Sequence, residues 1–152
     1  MKDERAEASQ QKSAVKEQQR HEQPRASALL VMVHGSPRPE SNDDMFAVVD
    51  VVRARGVYPI VEVGFMECNE PAIPDAIARC VEQGARRVVA VPYFLHTGNH
   101  VADDLPTLLE QAQARYPHVE FLMGDFLGRD VTLDEIVRDR AAQAQQLSQA
   151  PA

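Results

Sequence analysis

The sequence predicts a small three-layer α/β sandwich, in which a four-stranded parallel sheet carries helices on both faces. Three observations carry that expectation. Apolar runs of strand length, residues 28–33, 60–66 and 88–95, recur about one strand–helix–strand unit apart. Segments with apolar residues at helical spacing fill the gaps between them. The runs are rich in Val and Leu and alternate poorly, as strands of a parallel sheet buried on both faces do. With crossovers of one hand, all the carboxyl ends of such strands share one edge, and in open sheets that edge is where ligands bind.

Composition sets limits on this picture. The 152 residues suffice for one domain, and 44% hydrophobic with 26% charged residues is a globular balance. Residues 1–27 depart from it. They are rich in Gln, Glu, Arg and Lys with almost no large apolar residue, so they are predicted to be disordered. They lack the apolar stretch of a secretory signal and are too acidic for a typical transit peptide. Nothing in the chain has the apolar length of a membrane span. The tail holds six Lys/Arg and five Asp/Glu, including all three lysines, and residues 28–152 keep ten arginines against eighteen acids, a net of −8. An acidic body without lysine argues against nucleic acid and anionic membrane as partners. Cys68 and Cys80 form neither a CxxC pair nor a disulfide framework, which points to a reducing, cytoplasmic compartment. The expected organisation is a disordered tail 1–27, one domain 28–146 and a frayed end 147–152.

The first strand is ALLVMVHG, residues 28–35, closing on His34 and Gly35. The loop GSPRPESND follows, with Ser41 or Asn42 as expected helix cap and Asp43 and Asp44 in the first turn. A helix over 45–55 carries Phe46, Val49 and Val52 on one side and stops at Gly56. Pro59 opens the second strand, PIVEVGFM, which Glu62 and Gly64 interrupt. A helix from about 72 to 83 places Ile73, Ala76, Ile77, Cys80 and Val81 on one face, with Gly84 as the residue that ends it. The third strand, VVAVPYFL, contains Pro92, which cannot donate to a ladder and is expected near its end. Asp103 and Asp104 open a helix through Arg115, with Leu105, Leu108, Leu109 and Ala112 facing inward. Residues 119–123 form a fourth strand and 131 to about 146 a last helix.

Three metal-capable residues close the first three strand regions. Glu67 lies 33 residues after His34, and His100 lies 33 after Glu67. Equal spacing near the length of one strand–helix–strand unit would bring all three to the same sheet edge. Two imidazoles and a carboxylate suit Co, Fe, Ni or Zn better than Mg or Ca, and three protein ligands leave open coordination positions. Each residue also has a plainer reading. A histidine closing a buried strand is commonly bonded to backbone, and loop carboxylates are usually just solvated. His96 is either an additional ligand or a substrate-facing residue, and Cys68 either a soft ligand or a spectator thiol. Cys80 belongs to a core face. His21 and His118 carry no assigned role. HGSPRPES is neither GxGxxG nor GxxxxGK[ST], which argues against a nucleotide site.

The stretches LLVMVHGSPRPESND, VGFMECNEPAIPDAI, GARRVVAVPYFLHTGNHVADDLP and ARYPHVEF resemble the CbiX/SirB-type sirohydrochlorin chelatases over residues 28–141, with three motifs in the family's order. The resemblance implies a class II chelatase fold of flavodoxin-like topology. It also implies insertion of Co²⁺ or Fe²⁺, or Ni²⁺ in some members, into a sirohydrochlorin-type tetrapyrrole without ATP, in cobalamin or siroheme biosynthesis. The only cofactor-like species it implies is the substrate metal. The histidine of the HGS motif carries over to His34, the glutamate of F-x-E to Glu67, and the histidine of G-x-H-V to His100. These three are the expected catalytic and metal-binding residues, with Ser36, Arg38, His96 and Asn99 as substrate-binding residues. Pro37 stands where the family commonly has Arg, with Arg38 next, and Arg129 is a further candidate for the substrate's carboxylates. Short members of the family pair as homodimers, so a second copy is the expected partner.

Three functional classes stay open at this point: a chelatase, a metallochaperone using the same His/Glu/His set without tetrapyrrole turnover, and a small-molecule binding domain in which the histidines are structural.

Overall fold

The computed structural model describes residues 7–12 and 26–149. Its sheet comprises β1 (Ser27–Val33), β2 (Ile60–Phe65), β3 (Arg87–Pro92) and β4 (Glu120–Met123), all parallel, in the order β2-β1-β3-β4. The connections are the helices α1 (Pro39–Ala54), α2 (Ile73–Glu82) and α3 (Leu105–Arg115), and α4 (Val131–Gln149) follows the last strand. A single π-helical turn, His100–Asp104, leads into α3. Four strands alternating with helices match the architecture expected from the sequence.

The two faces of the sheet bury different sets. On one, α2 and α3 cover Ala28, Leu30, Met32, Val88 and Ala90 with Ile73, Ile77, Cys80, Leu105 and Leu109. On the other, α1 places Met45 and Val49 over Val31, Val33, Val61, Val63 and Phe65. β1 is buried on both faces, which is why its run does not alternate. Gly64 interrupts β2 for a packing reason: a Cβ there would come within 2.8 Å of the Ile73 Cα, so its absence lets α2 lie close on the strand.

Several boundaries differ from expectation. Residues 7–12, inside the stretch expected to be disordered, form a short exposed helix, and Lys12 reaches Asp130 at 2.6 Å. The rest of that tail, with His21, lies outside the described residues. α1 starts at Pro39, ahead of the expected Ser41 or Asn42 cap. Arg38 occupies the cap position without a side-chain cap bond, and Glu40 is the first-turn acid. Proline suits the first helical position because its missing N–H would have no partner there, so helix geometry begins as soon as the ring allows it. Pro92 does end β3, where it sits in register with Met32. α3 is entered three residues before the expected Asp103 start, through the π turn. α4 continues to Gln149, past the expected frayed boundary.

Candidate functional site at the carboxyl edge of the sheet

His34 follows β1 directly, and the ladder continues past the strand to fix it. The Met66 N–H donates to the Val33 carbonyl (2.8 Å) and the Glu67 N–H to the His34 carbonyl (3.0 Å). Glu67 is thus held beside His34 by the same parallel pairing that sets Ala28 opposite Ile60. Gly35 makes the approach possible. It has φ +94°, and a Cβ on it would collide with the Glu67 carbonyl oxygen. The Ser36 N–H then donates to the Asn69 side-chain oxygen (2.9 Å), tying the two loops together.

His100 arrives by a different route. β1 and β3 pair Ala28 with Val88, so the β3 position equivalent to His34 would be residue 94, and His100 lies six residues further on. The equal 33-residue spacing is therefore not an equal repeat. The first interval is the strand register, which sets Met66 opposite His34, plus one residue, whereas the second includes the exposed 95–99 loop and the entry into the π turn. That loop is supported from the next one: the Leu127 N–H donates to the Phe94 carbonyl (2.9 Å).

The outcome at the edge is compact. His34 Nε2 lies 3.1 Å from Glu67 Oε1. The His34 and His100 rings meet edge to face with centroids 5.0 Å apart. His34 Nδ1 is 3.0 Å from the Gly35 carbonyl and Nε2 is 3.1 Å from the Glu67 carboxylate, so each ring nitrogen faces an oxygen that only accepts. A neutral ring carries one proton and satisfies one of the two contacts; a metal cation at Nε2 would satisfy the other while Nδ1–H donates to the carbonyl. His100 Nδ1 is likewise committed, to Asp104 Oδ2 at 2.7 Å. No group of three or more His, Cys, Asp or Glu side chains among the described residues closes into a ready-made metal cage. The edge is open to solvent, with the His34, Glu67 and His100 side chains 44%, 58% and 46% exposed.

The other candidate site residues of the sequence make no hydrogen bond with these three side chains among the described residues. The Ser36 hydroxyl accepts the Arg38 N–H (3.1 Å), and Arg38 itself is exposed at the start of α1. His96 and Asn99 are exposed on the loop before the π turn, and among the described residues neither is hydrogen-bonded to the three. Cys68 is exposed beside Glu67 with φ 66°, whereas Cys80 is fully buried and its thiol is pushed up to about 12, first by burial and then by nearby Glu62. Arg129 is exposed with its guanidinium 5.8 Å over the Phe126 ring. A cavity of about 980 Å³ between residues 8–12 and 125–133 contains none of the three. Asn69 is the contributor that sequence reasoning missed; it left no sign apart from lying in the same loop as Glu67. Asp103 and Asp104 are both expected from the sequence to act on the charge of His100, and of the two it is Asp104 that bonds the ring.

The CbiX family model matches residues 28–144. The chain belongs to the CbiX family. It is 39% identical over 115 residues to the chloroplastic sirohydrochlorin ferrochelatase of Arabidopsis thaliana, covering 76% of this chain and 51% of that one. It is 44% identical over 82 residues to the sirohydrochlorin cobaltochelatase of Methanocaldococcus jannaschii, covering 54% and 57%. Among solved structures, the sirohydrochlorin chelatase SirB from Bacillus subtilis subspecies spizizenii in complex with cobalt superposes with a TM-score of 0.74 at 30% identity, covering 77% of this chain and 50% of SirB. The chain thus spans about half the length of these CbiX-family relatives. The three residues expected from the sequence, His34, Glu67 and His100, are ones that this structure brings to one edge.

Proposed function

We propose that the chain inserts a divalent metal ion, Co²⁺ before Fe²⁺ and with Ni²⁺ third, into a sirohydrochlorin-type tetrapyrrole without ATP, as a lyase-class chelatase of cobalamin or siroheme biosynthesis. The observation that carries this reading is the pairing of His34 Nε2 with Glu67 Oε1 at 3.1 Å beside the His100 ring, on an open sheet edge. A mixed nitrogen and oxygen set favours first-row transition ions. An incomplete, exposed set suits an ion that must be handed on, because the tetrapyrrole nitrogens can then complete its coordination. As the ion enters, two pyrrole N–H protons must leave. A neutral imidazole is a fitting acceptor near physiological pH, and Glu67 can pass a proton from His34 to solvent. Arg38, Ser36, His96, Asn99 and Arg129, which follow the strand ends, would contact the substrate's carboxylates, with arginine suited to bidentate pairing. The two free cysteines fit a reducing compartment, the cytoplasm.

The working unit of this reading is a homodimer. The site edge offers one wall to a large flat substrate, and α4 contains no buried residue, leaving Val131, Ile136, Val137 and Leu147 exposed. On the α1 face of the sheet, Val89 and Val91 are only half-buried and Leu122 is 42% exposed. A second copy could cover these surfaces and add the missing wall, and two-fold pairing is the commonest assembly of small proteins. An anaerobic absorption assay with sirohydrochlorin and Co²⁺ tests the reading. Multiple turnovers are expected; binding of cobalt without turnover would instead favour a metallochaperone, and neither would leave the histidines structural.

A further inference from the structure

The two site histidines are held at Nδ1 by different means. His34 Nδ1 lies against the carbonyl of the next residue in its own backbone. His100 Nδ1 is held by the Asp104 side chain at 2.7 Å. A carboxylate only accepts, so this contact places the proton of the neutral ring on Nδ1 and leaves the lone pair on Nε2. The backbone carbonyl survives any substitution, whereas the His100 tautomer depends on one side chain.

The π turn gives that side chain its aim. The Leu105 N–H donates to the His100 carbonyl, five residues back, which closes the wide turn. Val101 and Leu105, four residues apart, anchor one side of the turn in the core shared with α2 and α3, and Leu105 is fully buried. His100 and Asp104 immediately precede them, so they rise together from the adjacent row, about half-exposed at the edge. The core thus fixes both partners of the contact, and it is Asp104 rather than the neighbouring Asp103 that meets the ring.

We propose that Asp104 is a positioning residue for His100, setting its ring orientation and tautomer so that Nε2 is offered to a divalent first-row cation. The inference rests on the metal-inserting reading of the site for its purpose, but its test does not require insertion. Cobalt would be titrated into the full-length wild type and its Asp104→Ala and Asp104→Asn variants, following the visible Co²⁺ absorption together with the melting temperature. Loss of such an outer partner weakens metal affinity by about 10- to 100-fold, the effect expected for Asp104→Ala with unchanged melting. Asparagine keeps an acceptor oxygen for Nδ1–H, so Asp104→Asn should recover most of the affinity and the wild-type spectrum. In a His100→Ala background, Asp104→Ala should add nothing, because it acts through the ring. Wild-type cobalt affinity in Asp104→Ala, equal loss in Asp104→Asn, a full additional loss in the His100→Ala background, or no cobalt binding by wild type would each overturn the proposal. A wild type that binds cobalt but inserts none removes the chelatase reading and leaves the affinity comparison to decide the role of Asp104.

Discussion

The two halves of the sheet are finished to different degrees. β1 and β2 are covered on both faces by their own chain, with Leu30, Met32, Phe65 and Ile73 essentially out of solvent. β4 is mostly exposed, and α4, the longest helix described, buries nothing. His34 and Glu67 belong to the finished half, extending the ladder of β1 and β2, while His100 and Asp104, which follow β3, ride on the core anchors Val101 and Leu105. The difference teaches that the candidate site and the exposed apolar surface lie in separate parts, so each can be broken without the other.

The largest effect is expected from the finished half. Phe65→Ala should cost about 3–5 kcal/mol in a denaturant titration, since it empties a fully enclosed ring site between α1 and β2. Next comes Gly35→Ala. The left-handed backbone alone costs a non-glycine residue about 1–2 kcal/mol, and the collision with the Glu67 carbonyl must push that loop away from His34. Stability and metal-insertion rate should therefore fall together; a variant with wild-type rate would show that the tight crossing of the two loops is not needed. In the other half, Ile136→Ala should cost no more than about 0.5 kcal/mol in dissociated chains, as an exposed site does, while Ile136→Asp should shift sedimentation toward a monomer of 16.9 kDa. A cost for Ile136→Ala comparable to that of Phe65→Ala would erase the distinction between the halves.

The smallest effect concerns acid. Lys12 beside Asp130, helped by the Thr132 N–H, holds that carboxyl well below the usual carboxylate range. A depressed carboxylate contributes above its unfolded value and loses that contribution as pH falls through the folded one. Acid should thus loosen the Lys12 contact only well below the usual carboxylate range, after the ordinary surface carboxylates have been protonated. Both side chains are 43% exposed, so removing residues 1–25 should leave the melting temperature and activity at neutral pH unchanged. A marked drop in either would show that the N-terminal segment is part of the working body.

How far the sequence could be read follows the same division. β1 was legible because a run buried on both faces needs uninterrupted apolar residues, and His34 because it ends that run. Glu67 was legible through strand register. His100 was found through an equal spacing that the structure shows to be coincidental in its second interval, because a loop and a π turn replace the strand offset. Asn69 was not legible as a partner, nor was the choice of Asp104 over Asp103, since these contacts depend on turn geometry that no period encodes. The early start of α1 lay in Pro39, overlooked in favour of the better capping residues that follow it. The open packing of α4 was hidden because an apolar stripe reads the same whether its own sheet or another chain covers it.

The central claim is that His34, His100 and Glu67 act together on a metal ion at one sheet edge. The most direct measurement is the anaerobic initial rate of Co²⁺ insertion into sirohydrochlorin for wild type, His34→Ala, His100→Ala and Glu67→Gln, with each fold checked by circular dichroism. The account predicts losses of at least about 100-fold for either histidine, the scale on which positioned acid–base groups contribute, and a smaller loss for Glu67→Gln, because water can replace one carboxylate oxygen. Folded His34→Ala and His100→Ala proteins turning over at the wild-type rate would contradict it.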